Sequence, residues 1–480
     1  MDELYIRVKG GGEICVPAGS VSAYVLLEQE DWFEKEIAFV RRMLRPGMRV
    51  IDIGANYGTY TLAMAQAVRS DGRIWAYEPA SATARCLRNM IARNGLANVQ
   101  MIEAALSDRT GTGTLHLGDQ AELNRLGTEG DGEEVPLTTI DVECNSRAWG
   151  RIDFIKIDAE GGELAILRGG DVFFAAQSPL VMFERIGADG ENEGVQSTLQ
   201  GCGYSLFKLI GPDLYLVPID PDEPRDGFDL NLFACKPDRA EALSAAGLLT
   251  ATCTAPSVTP AGLGIRLWRN QDFARAFAIT PTGLDFVYEQ ALDAYAAWRD
   301  ADHSLAERCG ALRVAGQLLG TLVAHTDNLA RLSTCARVAH EAGMRSLGVA
   351  CLGRMLDRMT AGRPRLDEPF WPATARYDTA SPDPDPGIWF LAATLEAYEE
   401  RRAHSSFFAA TGTLASLDWL CSTRYASPAM ERRRQLMAIR VGQQRGRQTS
   451  PLLSNASDGH LNPQLWDGPP EPRASLSDSR

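Results

Sequence analysis

The run Arg49-Val-Ile-Asp52-Ile-Gly54-Ala-Asn56-Tyr57-Gly58 decides how this chain folds. Val50, Ile51 and Ile53 are β-branched, as in a strand buried on both faces. Gly54 and Gly58 then let the backbone turn and leave room for a ligand beside main-chain amides at the start of a helix. Thr59 to Ser70 carries apolar residues at helical spacing and stops at Asp71-Gly72. Strand, glycine turn and helix make one βα unit. Upstream, Pro46-Gly47 sets the turn into the strand. Before it, Trp32 to Leu44 reads as an amphipathic lead-in helix and Leu4 to Pro17 as a hairpin around Gly10-Gly11-Gly12.

Downstream the unit repeats. Strand-like runs at Arg73 to Glu78, Asn98 to Ala104, Asp153 to Asp158 and Leu180 to Glu184 alternate with helical stretches such as Ser81 to Asn94, and Tyr204 to Ile210 and Leu232 to Cys235 follow. The alternation predicts an α/β domain, a parallel sheet covered on both faces. After Pro237 the composition shifts to Ala, Leu and Arg and strand signals fade, so the rest should be all-α. Within it, Asn328 to Met359 reads as two helices broken at Gly343, with Ala336, Ala339 and Ala350 where helices cross. This faintly resembles a tetratricopeptide hairpin, without a firm repeat period. Arg363 to Gly387 reads as a long loop. These readings divide the chain into a hairpin and lead-in helix at 1–48, the α/β domain at 49–237, a helical domain at 238–447 and a disordered tail at 448–480.

The bulk numbers set limits on function. A chain of 480 residues with 45% hydrophobic and 23% charged content is a globular protein of two to three domains. No apolar run is long enough to span a bilayer, and the acidic start Met1-Asp2-Glu3 is unlike a secretory signal, so the expected location is cytoplasmic. Ten cysteines with no C-x-x-C pair read as reduced, buried thiols. A formal charge of −14 repels a phosphate backbone and argues against a nucleic-acid partner.

The glycine turn departs from G-x-G-x-x-G, which weighs against a nicotinamide dinucleotide. Twenty residues past Gly58, Glu78 closes the second strand, where a carboxylate can accept hydrogen bonds from both hydroxyls of a ribose. Together the two features point to an adenosyl cofactor without a pyrophosphate.

Three segments extend this to a family resemblance. Leu44 to Gly58 followed by Tyr77-Glu78-Pro79, then Glu103-Ala104-Ala105-Leu-Ser-Asp108, then Asp153-Phe-Ile-Lys156-Ile-Asp158-Ala-Glu160-Gly161 with Glu163 and Leu167-Arg-Gly169, resemble the FkbM family of class I methyltransferases. The likeness runs from about Trp32 to Lys236 and does not reach the helical half. It implies a Rossmann-like seven-stranded sheet, a bacterial source, S-adenosyl-L-methionine as cofactor, and transfer of the sulfonium methyl to an oxygen. The acceptor is commonly a hydroxyl of a sugar, a glycan or glycolipid precursor, or a secondary metabolite. Residue by residue, it implies Asp52, Gly54 and Gly58 under the methionine part, with Asn56 and Tyr57 flanking the pocket. Glu78 would hold the ribose, Pro79 would follow it, and Ala104 and Ala105, with Leu106, would border the adenine.

Side chains alternate along a strand, so Phe154, Lys156 and Asp158 share a face, and Asp158 reaches the crevice at the strand's carboxyl end. A sulfonium donor is already activated, but an alcohol must still lose its proton. Asp158, Glu160 or Glu184 could take it as general base. Each also has a plainer use: Asp158 holding cofactor, Glu160 capping the next helix, Glu184 pairing with Lys156. The three carboxylates could alternatively gather Mg²⁺, a less favoured route, and the histidines suggest no zinc set. Arg432-Arg433-Arg434, with Arg440, Arg445 and Arg447, reads as a solvated helix face, with contact to acidic partners or phosphates as the alternative. Phe370-Trp371, Trp389-Phe390 and Tyr398 read as core packing, with lining an acceptor cleft as the alternative. An enzyme acting on a small-molecule or glycan acceptor is the expected whole, the helical half offering a surface for a protein partner or self-association. A scaffold with a vestigial methyltransferase domain is the competing reading.

Overall fold

The computed structural model describes residues 3–118, 124–127, 132–187, 190–191, 193–220, 223, 225–257, 259–280, 282–360 and 366–443. The expected disordered tail, Arg445, Arg447 and the first part of the 363–387 loop lie outside the described residues. The chain divides into two compact units, Met1–Cys202 with His404–Arg480, and Gly203–Ala403. The first unit is thus closed by a segment that returns from the far end of the chain.

In the first unit, β1 (Arg49–Ile53), β2 (Arg73–Tyr77), β3 (Val99–Ile102), β4 (Phe154–Ile157) and β5 (Leu180–Glu184) form parallel pairs in the order β5-β4-β1-β2-β3. β4 is buried at every position, and β1 at all but Arg49, so apart from Asp52 and Lys156 their buried side chains are apolar on both faces. Moving outward from β1, the chain runs to β2 and β3 on one side and later to β4 and β5 on the other. The order therefore reverses between β1 and β4, and a crevice opens there at the carboxyl ends. Helices Thr59–Val68 and Ser81–Arg93 follow β1 and β2, as expected. A small four-stranded sheet, in which Gly111–His116 pairs with Glu133–Thr138 and Arg125–Gly127 and the short Ala105–Leu106 joins Glu133–Thr138, is inserted after β3.

The N-terminal hairpin forms with Glu3 opposite Pro17, and the lead-in helix spans Lys35–Met43. A further helix, Val21–Gln29, escaped the sequence reading because it is buried almost all round and carries no polar face to mark its period. Helix Pro428–Arg440 packs on it. Arg432 and Arg433 are buried there, against the expectation of a solvated face. Arg433 bonds to Glu28 at 2.9 Å and Arg432 to Glu30 at 2.8 Å, so each cation is desolvated with a partner.

In the second unit Ser205–Ile210 pairs antiparallel with Tyr215–Pro218 and with Asn231–Cys235. Seven expected strands are therefore all present in the α/β region, five parallel in the first unit and two in the second, and Tyr215–Pro218 adds an eighth. From Pro237 on, every described element is helical. Helices Phe286–Arg299, Leu305–Val323, Leu329–Glu341, Arg345–Thr360 and Pro386–Arg401 each pack on the next. Asn328 caps one helix by accepting from Ala330 and Arg331, and Gly343 breaks the pair at φ +76°. Ala336 and Ala339 do meet a small residue, Gly348, but Ala350 is exposed, so Gly348 takes the place expected for it. Phe370, Trp371, Trp389 and Phe390 are buried and make ring contacts with one another or with Phe273 and Tyr295, the packing use rather than a cleft. All ten cysteines are free. No described helix is long and apolar enough to cross a membrane.

Candidate active site

The turn after β1 is built to bring main chain close to main chain. Gly54 sits at φ +72°, and a Cβ there would lie 1.7 Å from the backbone oxygen of Asp158, so no side chain fits. Its amide and that of Ala55 both donate to Tyr77 O, at 3.1 and 2.9 Å, locking the turn to the end of β2. Gly58 sits at φ +87°, a backbone conformation that L side chains rarely adopt, and a Cβ there would also meet Met90 Cε at 2.3 Å and Leu87 Cδ1 at 2.6 Å. Tyr57, expected beside the pocket, is instead buried in a hydrophobic cluster with Tyr24, Leu62, Leu87 and Met90.

Glu78 is 6% exposed at the end of β2. One oxygen accepts from the amide of Asn56 and the other from the amide of Ala80, both at 2.9 Å. Burial pushes its carboxyl up to about 7, against the pull of those two amides. Asn56 takes φ +48°, and its buried Oδ1 has no hydrogen-bond partner among the described residues. A carboxylate at a strand end, a bare glycine and an orphaned buried acceptor in the same turn fit the ribose and polar groups of an adenosyl cofactor. Pro79 is half-buried between Glu78 and Ala80. Ala104 and Ala105 are both buried, and Ala105 packs with Ala80, Leu115, Val135 and Leu137.

At the crevice, Lys156 points the same way as Asp158, as the alternation required. Its Nζ donates to Asp158 Oδ2 at 2.7 Å, lies 3.4 Å from Gly54 O and 4.0 Å from Asp52 Oδ1, and stands 5.1 Å from the centre of the Tyr60 ring. Burial alone would lower its pKa, but the Asp158 and Asp52 carboxylates outweigh that and raise it, so it stays charged. Asp52 is wholly buried, which raises its pKa, while Lys156 and the Thr61 hydroxyl, donating to Oδ2 at 2.5 Å, pull the other way. It is a structural centre under the turn.

Asp158, Glu160 and Glu184 come together as expected, with one oxygen from each within 4.8 Å of the others. Burial, then the charges of Asp158, Glu160, Glu163 and Glu34, push Glu184 up to about 9. Glu160, held at φ +48°, does not cap the helix that follows, which has no side-chain cap bond; Glu163 Oε1 instead ties the turn before it, accepting from Ala159 N at 2.9 Å and Gly161 N at 3.2 Å. Asp158 is open to the crevice, its side chain 34% exposed with Oδ1 unengaged among the described residues.

Two site residues carried no signal in the sequence. Glu34 stands at the N-terminal boundary of the lead-in helix without a side-chain cap bond to it, and its Oε2 accepts from Tyr60 Oη at 2.6 Å. Burial and then Asp158 raise its pKa. Nothing in the local sequence at Glu34 or Tyr60 announces a pairing across 26 positions.

This combination of a doubly wound sheet, a glycine turn against a strand-end carboxylate and an acidic crevice at the switch point defines a class I methyltransferase fold. Residues 52–206 match the family model described as the methyltransferase FkbM domain. No curated protein matches the chain. Among solved structures it is similar to a methyltransferase FkbM from Methylobacillus flagellatus KT, at 14% identity and TM-score 0.28 over 45% of this chain and 58% of that one. It is also similar to an S-adenosylmethionine-dependent O-methyltransferase from Thermotoga maritima, at 14% identity and TM-score 0.28, over 49% of this chain and 92% of that one. A precorrin-6y C5,15-methyltransferase from Geobacter metallireducens GS-15 aligns at 13% identity and TM-score 0.26, over 42% and 85%. The chain thus spans little more than half the length of the FkbM structure.

Proposed function

We propose that this chain moves the methyl group of S-adenosyl-L-methionine to a hydroxyl of a small acceptor such as a sugar, a glycan precursor or a secondary metabolite, in the cytoplasm. The observation that carries the reading is the meeting, at one edge of the sheet, of the Gly54 turn, Glu78 and the open carboxylate of Asp158. The cofactor, when bound, supplies a methyl on a sulfonium, already activated for in-line displacement. Glu78 holds the ribose hydroxyls, and Gly54 and Asn56 let the ligand approach the main chain. Alignment of acceptor oxygen and methyl carbon supplies up to roughly 7–11 kcal/mol of the barrier.

Asp158 is the proton acceptor in this reading. The acceptor oxygen takes the methyl as its proton passes to Oδ1, while Lys156 holds Oδ2 and fixes the carboxylate's direction. Glu184, pushed up to about 9, keeps a proton at neutral pH and serves as a hydrogen-bond donor in the cluster. Asp158→Asn should cut release of S-adenosylhomocysteine by about 10²–10⁴-fold while calorimetric affinity for S-adenosylmethionine changes less than threefold. Equal losses in both would make Asp158 a binding residue.

A divalent cation such as Mg²⁺ is a second reading, favoured by the convergence of the Asp158, Glu160 and Glu184 oxygens. It would take over the charge relief that Glu184's proton otherwise gives and polarise the hydroxyl. Loss of S-adenosylhomocysteine release on chelation, restored by Mg²⁺, would select this route.

A further inference from the structure

We propose that Glu34 binds a second hydroxyl of the acceptor, beside the reacting one, and that the returning C-terminal segment, His404–Arg440, positions Glu34. The inference rests on the methyl-transfer reading above for the role of the site, and on separate geometry for the positioning.

Glu34 reaches the crevice from outside the sheet. Tyr60 Oη donates to Oε2 at 2.6 Å and Trp32 Nε1 to Oε1 at 3.2 Å, so both oxygens are aimed. The Tyr60 ring that holds it also faces Lys156 Nζ, and Lys156 in turn holds Asp158. Glu34 and Asp158 are therefore linked through one tyrosine–lysine pair. A carboxylate in this place accepts a hydrogen bond from a neighbouring hydroxyl of the acceptor, while the reacting hydroxyl gives its one proton to Asp158.

The segment that carries Glu34 is short and tied at its base. Helix Val21–Gln29 ends at Glu30, which takes φ +60°, and Glu34 lies four residues on. At that base Glu28, 2% exposed, accepts from the amide of Ser406 at 3.0 Å, from the Ser406 hydroxyl and from Arg433 at 2.9 Å. Arg432 Nε donates to Glu28 O at 3.0 Å and pairs through Nη2 with Glu30 at 2.8 Å. Gln29 Nε2 donates to His404 O at 2.6 Å, and the Phe33 ring lies 5.1 Å from that of His404. Tyr24 Oη and Ser406 Oγ are 2.8 Å apart. The base of the approach to Glu34, and Phe33 beside it, are thus held by residues of the C-terminal segment. Asp31 closes the other end of the segment, accepting from Arg41 of the lead-in helix at 3.0 Å.

Removing one partner of a buried charge pair leaves the other uncompensated, so the tie should loosen sharply when Arg433 is lost. The test uses the full chain. In Arg433→Met, hydrogen–deuterium exchange of residues 28–36 should rise at least tenfold while that of 49–53 and 154–157 stays unchanged, which separates loosening from global unfolding. This arm needs neither cofactor nor acceptor. Unchanged exchange at 28–36, or equal increases at all three places, would overturn the positioning. In the second arm, Glu34→Gln should keep S-adenosylmethionine affinity within twofold and cut S-adenosylhomocysteine release, with a host metabolite extract as acceptor source, at least tenfold, with Glu34→Asp recovering part of it. Release within twofold of the parent would overturn the binding role. Failure of the parent protein to bind S-adenosylmethionine would instead sink the methyl-transfer reading and with it the role assigned to Glu34, while the exchange arm would still decide the positioning.

Discussion

Replacing Gly54 by alanine tests the geometry on which the cofactor turn depends. The added Cβ would lie 1.7 Å from the Asp158 oxygen, while ordinary contact begins near 3.4 Å, so the ends of β1 and β4 must part by about as much again. The residue would also keep φ +72°, which costs an L-residue about 1–2 kcal/mol. Overpacking against a backbone atom adds about 1–3 kcal/mol. We expect Gly54→Ala to lose about 2–5 kcal/mol in urea unfolding and to lose measurable S-adenosylmethionine binding by calorimetry, because Asp158 N also donates to Ile53 O at 3.2 Å beside the clash. Gly161→Ala is the control. It sits at φ +96° with nothing within 4 Å, so it carries the dihedral cost without the collision. A Gly54→Ala protein no less stable than Gly161→Ala, with cofactor affinity intact, would refute the reasoning.

Glu78→Ala should weaken S-adenosylmethionine binding by about 1–3 kcal/mol through lost charge-assisted hydrogen bonds, and an unchanged calorimetric affinity would remove the adenosyl assignment. Glu184 should give stability a particular pH dependence. Its folded pKa, about 9, lies above the ordinary 4.5, so between those values the folded state holds a proton that the unfolded state has lost, and stability falls as pH rises through that window. The slope contributed is at most about 1.4 kcal/mol per pH unit, and Glu184→Gln should flatten it when urea midpoints at pH 6 and pH 8.5 are compared; parallel changes in the two proteins would show that Glu184 is ordinarily ionised.

The parallel strands were legible because burial on both faces writes itself into consecutive residues: Val50-Ile-Asp-Ile53 and Phe154-Ile-Lys-Ile157 read as strands without any partner in view. The reacting edge was legible too, since alternation alone put Lys156 beside Asp158. Tyr215–Pro218 was hidden by its brevity and its closing proline. Within the site, what escaped was whatever depends on distance in the chain. Tyr57 and Asn56 are neighbours in the turn, yet one enters a hydrophobic cluster and the other leaves an acceptor unpaired. Glu160 and Glu163 show the same limit, because only the turn's conformation decides which carboxylate reaches the amides of Ala159 and Gly161.

The arginines of the last described helix carry this point furthest. Three in a row, Arg432 to Arg434, are costly to desolvate, and no carboxylate on their own helix can offset all three; Glu431 serves Arg434. A solvated face is therefore the right inference from the segment alone. Glu28 and Glu30 reverse it from the other end of the chain by giving Arg433 and Arg432 buried partners. Such pairs add little net stability over apolar packing, but a wrong register would strand a charge without a partner and cost several kcal/mol. Their value lies in specificity: apolar residues at the same places would let the C-terminal helix slide along Val21–Gln29, whereas two matched cations admit one seating, the one that also places His404 against Phe33 just before Glu34.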